Sequence, residues 1–231
     1  MVSVADWDRA HSIDDVLERM AAIDGALPAS DGVAYFNRMY REVTRLVDSA
    51  VDGHVFEAGD FLPRLDVNFA NLFFAAYAAD VKGDPIPPAW APLFEARRRP
   101  GVLPIQFALA GMNAHISHDL PHAVVTTCKE LAVRPREDSP EHSDYTHTND
   151  VLDHAQEEIK NWFSIGPIAV MDRIGGKVDD GFATFGIHLA RAAAWQTSEI
   201  LWGLADHAHL DKMFRAGLGT SVGMTSRGIL L

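Results

Sequence analysis

The sequence predicts an all-α protein, a single-domain stack or bundle of about seven to nine helices. Apolar residues recur at three- and four-residue intervals through most of the 231 residues, which is the period of a helix. No segment shows a convincing two-residue alternation of the kind a strand requires, and no internal repeat is visible. Apolar residues make up 48% and charged residues 23%, so a sizeable core can be buried and disorder is excluded for most of the length. The expectation is one helical domain over 1–231, with 1–11 as an N-terminal extension.

Each element has its own signal. Ser12 reads as the N-cap of SIDDVLERMAAIDG, with acids in the first turn and Gly25 at its end. From Asp31 to Val51, Phe36, Met39, Val43, Leu46, Val47 and Ala50 keep helical spacing. LDVNFANLFFAAYAAD, 65–80, carries the broader apolar coat of a helix enclosed by others. GDPIPPAWAP, 83–92, is proline-rich punctuation before a short helix at about 90–98, and ARRRP, 96–100, reads as a solvated helix end. Further helices are expected over 103–120, 121–133, 146–163, 167–175 and 181–206, with RPREDSPEHSD, 134–144, as a polar surface loop.

Charge and cysteine usage narrow the function classes. A formal charge of −12 argues against nucleic acid, which needs clustered Lys and Arg. Cys128 is the only cysteine, so an intrachain disulfide and a Cys-based zinc site are both excluded, and a buried inert thiol is expected. The acidic start MVSVADWDRAHSIDD is unlike a signal peptide, and no apolar run reaches the roughly 18 residues of a membrane span. A cytoplasmic protein without a membrane partner is expected.

The densest chemistry lies in GMNAHISHDLPH, 111–122. His115, His118, Asp119 and His122 fall within an arc of roughly 100° on an unbroken helix. His115 and Asp119 stand four residues apart, close enough to interact, whereas Pro121 predicts a kink or break that would turn His122 elsewhere. Asp119 could fix the tautomer of His115 for acid-base work near neutral pH. Alternatively His115, Asp119 and His122 could hold a divalent metal, or the group could simply satisfy itself within the core. The expectation is no resident cofactor and less than one metal ion per chain.

A second polar stripe runs along the helix at 181–206. Thr184, His188, Arg191, Trp195, Glu199 and Trp202 lie within about 80° of one another, while Phe182, Leu189, Ala193 and Ile200 occupy other faces. Such a stripe resembles the wall of a polar pocket; the structural alternative pairs Arg191 and Glu199 with other helices and leaves the tryptophans as core. On the helix at 65–80, Asp66, Phe73, Tyr77 and Asp80 share a face, with Asn68 and Asn71 opposite. Asp66 is the acid hardest to leave unpaired, and Arg191 or a histidine is its expected partner. Gln106 and Asn113 read as helix-to-helix hydrogen-bonding residues.

The segments DGVAYFNRMYREVT (31–44), LDVNFANLFF (65–74) and PIQFALAGMNAHISHDLP (104–121), with the Trp-containing helix, resemble an uncharacterised, mainly actinobacterial helical family known only as a domain of unknown function. That resemblance implies a bacterial, all-helical protein and supplies no reaction. HxxxD followed by proline and histidine also resembles the helical zinc-dependent phospholipase C and P1-type nuclease group, although the spacing from Asp119 to His122 is shorter here and no second HxxxD/E pair lies in an apolar helix.

The functional expectation is an enzyme binding a small organic molecule between helices, an isomerase, cyclase or lyase of specialised metabolism. His115 would be the base or acid, Asp119 its orienting partner and Asp66 a further catalytic group. His118, Tyr77, His188, Arg191, Glu199, Trp195 and Trp202 would bind substrate. A metal-dependent hydrolase and a non-catalytic binding protein are the alternatives, and a homodimer is compatible with the sequence.

Overall fold

In the computed structural model, which describes residues 9–51, 57–149, 152 and 186–231, every regular element is helical. Ser12 caps α1 (Ile13–Ala26), its hydroxyl accepting from the Asp15 backbone N–H at 3.1 Å. Asp31 does the same for α2 (Gly32–Val51), accepting from Val33 N–H at 2.9 Å. Next come α3 (Phe61–Lys82), which starts four residues earlier than its apolar pattern suggests, and the short α4 (Ala91–Ala96) after the proline-rich loop. α5 (Pro104–Ala114), a five-residue π-helical segment (His115–Asp119) and α6 (Leu120–Glu130) form one continuous rod. Then follow α7 (140–149), α8 (Ile187–Leu204) and α9 (Ala208–Ile229).

Several expectations change here. The loop at 134–144 ends at Ser139, because Ser139 Oγ accepts from His142 N–H at 3.2 Å and Pro140 suits the first helical position, so α7 begins inside the expected loop. α9 has no counterpart among the expected helices: its four glycines and four serines and threonines hide the helical period. Arg97 is not solvated, since its Nε donates to both carboxylate oxygens of Asp31 at 2.9 Å and Nη1 bonds Asp80, tying α4 to the start of α2 and the end of α3. The helix expected at 167–175, together with Phe182 and Thr184, lies outside the described residues. No helix among the described residues is long and apolar enough to cross a membrane.

Among the described residues, two apolar cores position the site. The larger gathers Val16, Met20, Phe36, Phe73, Trp90 and Met112 from α1 to α5. The smaller joins Phe61, Leu65, Leu120, Val124, Tyr145 and Trp195 from α3, α6, α7 and α8. The α5–α6 rod runs from one core into the other, and its π segment lies at the junction. Asn113 donates to Val222 O at 3.0 Å and Ser226 Oγ at 2.9 Å, and Gln106 to Ile229 O at 2.8 Å, so both link helices as their spacing suggests. Asn68 and Asn71 bind Arg9 and Ala10 and dock the described end of the N-terminal extension on α3.

One glycine governs how closely α9 approaches the proline loop. A Cβ at Gly223 would lie 2.3 Å from the Pro88 carbonyl oxygen, a backbone atom that cannot swing aside. Gly223→Ala should therefore destabilise the fold by roughly 1–3 kcal/mol, as overpacking does, in denaturant unfolding; an unchanged midpoint would refute that contact.

Candidate functional site

Pro121 would clash with the carbonyl four residues back in a regular helix. The chain resolves this with the π turn, in which Leu120 N–H bonds His115 O, five residues earlier, and the rod continues through the proline. Instead of the expected kink or break, the register shift keeps His115 and Asp119 on the interior.

Asp119, 2% exposed, accepts three side-chain hydrogen bonds. Trp90 Nε1–H donates to Oδ2 at 2.9 Å and His115 Nδ1–H to the same oxygen at 3.0 Å, while His118 Nδ1–H donates to Oδ1 at 2.8 Å. Burial pushes this carboxyl upward, but the bonds from His115 and His118 outweigh it and hold the group below its ordinary range. Asp119 is therefore an anion at neutral pH, and it assigns Nδ1–H to His115. The lone pair of His115 is left on Nε2, which is buried and has no partner among the described residues. Burial lowers the His115 pKa despite Asp119, so the ring is neutral near pH 7 and presents a base.

Aromatic packing fixes the ring. Phe69 stacks on His115 with centroids 3.5 Å apart and planes 5° apart, and Tyr40 meets it edge-on at 4.5 Å. His115 lines a cavity of about 80 Å³ walled by Phe36, Met39, Val43 and Met112. A second lobe of about 70 Å³ adjoins it and contains Thr44, Asp66 and Thr148; Tyr40, Phe69 and Arg191 border both. Burial raises Asp66 to about 7, Arg191 opposing the rise. A larger groove of about 680 Å³ lies beside Arg9, Asp60 and Arg64, but its titratable side chains are all solvent-exposed, so volume alone does not make it the site.

The remaining expected residues separate. Of the α8 stripe, Arg191 reaches the cavity with His115. Trp195 packs instead on Phe61, Tyr145 and His142, donates through Nε1–H to Glu199 at 3.1 Å, and has Trp202 beside the same smaller core. Trp195, Glu199 and Trp202 are thus structural neighbours rather than cavity wall, and His188 is exposed. Tyr77 is buried in the larger core near Arg97 and Asp31, away from the cavity. His118 contacts Asp119 but faces His122, with ring centroids 4.8 Å apart, and approaches Gly219 of α9. Asp66 and Arg191 share a lobe without a direct ion pair between them.

His122 donates its Nδ1–H to His118 O at 2.6 Å, and burial drops its pKa to about 4. The set His115, Asp119 and His122 is therefore not assembled, and among the described residues no three His, Cys, Asp or Glu side chains are placed to hold a metal ion. Cys128 is buried, its thiol pushed up to about 12 by that burial, as an inert cysteine should be. Sequence reasoning missed Trp90, Tyr40 and Phe69. Tyr40 follows Phe36 by one helical turn, and a tryptophan among prolines is a large apolar group in a loop, so both left a signal.

This arrangement defines an all-α protein with a buried Trp–Asp–His relay facing a small, mainly apolar cavity. The chain belongs to the family of unknown function DUF5995, whose profile matches residues 13–231. No curated protein and no solved structure matches it.

Proposed function

We propose that this protein is a cytoplasmic enzyme that moves a proton on a small organic molecule held between its helices, acting as an isomerase, cyclase or lyase in bacterial specialised metabolism. The observation that supports the reading best is His115 Nε2, a buried nitrogen without a partner among the described residues, on a ring that lines a cavity and is fixed in one tautomer by Asp119. Leaving such an atom unsatisfied is unfavourable unless something occupies it in use. A neutral imidazole with its base nitrogen toward substrate and a carboxylate behind it has the geometry of general-base catalysis. Asp66, near 7, is a second group able to exchange a proton within the joined lobes.

Proton abstraction has a direct signature. In D₂O, the wild-type chain should catalyse deuterium incorporation next to the carbonyl in at least one of a panel of cyclic ketones and hydroxyketones of about ring size, followed by NMR. His115→Gln should remove that exchange while keeping the fold. Absence of exchange across the panel, or equal exchange by His115→Gln, would defeat the acid-base reading. Binding of such a compound without exchange would favour a carrier protein.

A further inference from the structure

The second cavity lobe has a polar end that His115 does not explain. Arg191, 9% exposed, donates through Nε to Asn149 Oδ1 at 2.8 Å and through Nη2 to Tyr145 O at 2.7 Å and Thr148 Oγ1 at 2.5 Å. Nη1 has no bond among the described residues, and the guanidinium makes no direct ion pair among them. Asp66 accepts no side-chain hydrogen bond among the described residues either, although it borders the same lobe. A donor and an acceptor thus border one small lobe, unbonded to each other, next to a lobe lined by aromatic and aliphatic side chains.

Resting on the acid-base reading of this same site, the geometry points to one substrate class: an uncharged molecule of about one six-membered ring carrying a single hydroxyl, its oxygen between Asp66 and Arg191 and its carbon skeleton against His115. Three considerations select it. Lobes of about 80 and 70 Å³ together match the size of an engineered cavity of ~150 Å³ that admits benzene. Above about pH 7, where Asp66 is ionised, its carboxylate and the Arg191 guanidinium compensate each other's charge, so a charged ligand would bury an excess charge. A hydroxyl donates and accepts at once, which a carbonyl or an ether does not, and it therefore satisfies both groups. The raised Asp66 pKa agrees with an acid held in an apolar lobe.

Phenol, toluene and benzoate test this, because phenol and toluene share a shape and differ in the hydroxyl. Affinities are measured by ligand-observed NMR titration of the full chain. Phenol should bind at least about tenfold more tightly than toluene, the scale of one buried hydrogen bond, and benzoate should bind more weakly than phenol. Asp66→Ala should abolish or reverse the preference for phenol over toluene. Toluene binding as well as phenol, benzoate binding best, no binding of phenol, or a preference unchanged in Asp66→Ala would each overturn the proposal. The wild-type comparison stands even if Asp66→Ala fails to fold. Loss of the phenol preference with deuterium exchange intact would remove this inference alone; intact preference without exchange would remove the catalytic reading alone.

Discussion

Asp119→Asn should lower turnover by a factor on the order of 10² to 10⁴, read as deuterium exchange on the compound that the wild type exchanges fastest. The carboxylate presents acceptors to Trp90, His115 and His118, whereas an amide offers one acceptor oxygen and one donor nitrogen. Either an N–H then faces another N–H inside the protein, or one of the two histidines moves its proton to Nε2 to accept from the amide. A loss of roughly 1–3 kcal/mol of stability accompanies that mismatch. The catalytic part is separable because Asp119 sets the tautomer of His115. Ring ¹⁵N NMR should show Nδ1–H in the wild type and a growing Nε2–H population in Asp119→Asn, a change that needs no substrate. A variant that is less stable but fully active per folded molecule would show that His115 and Asp119 only hold the helices together, with any chemistry elsewhere.

The parts of this architecture that were legible are those that depend on local spacing. His115 and Asp119, one turn apart, meet as an i, i+4 pair should, and Gln106 and Asn113 both reach α9. The fold class followed from the period of α1 to α6. What depends on long-range packing was not legible. Trp90 reaches Asp119 from a loop 29 residues earlier, and its indole N–H has no sequence pattern that names its acceptor. The α8 stripe looks like one wall on the helical wheel, but a helix packed between two cores divides a face along its length: Arg191 meets the cavity, and Trp195 one turn later meets Phe61 and Tyr145. Pro121 correctly marked an irregularity, yet spacing alone could not distinguish a break from a π turn that conserves the rod. α9 escaped because its glycines permit close approach to Pro88, a tertiary reason that erases its helical signature.

Asp66→Asn should stabilise the protein above neutral pH and leave it nearly unchanged at pH 4. The ordinary carboxyl value of 3.8 describes the unfolded chain, and burial raises the folded value to about 7. Below about pH 4 both states carry the proton and the group contributes nothing. Between 4 and 7 the unfolded chain releases its proton while the folded chain retains it, so stability falls as pH rises. Above 7 the penalty is complete, and a rise from 3.8 to about 7 sets its upper bound at about 4 kcal/mol. Arg191 and Asp48 act on this group in opposite directions, and the cavity admits some solvent, so a gain of about 2 kcal/mol at pH 8 is the working expectation. Denaturant midpoints of the two chains at pH 4, 6 and 8 measure it. Curves that differ by the same amount at all three values, or a less stable Asn variant at pH 8, would mean that Asp66 is ionised in the folded protein without penalty. A destabilising acid retained beside Arg191, with no direct ion pair between the two, is what a binding site is expected to contain, because groups arranged for a ligand are strained without it.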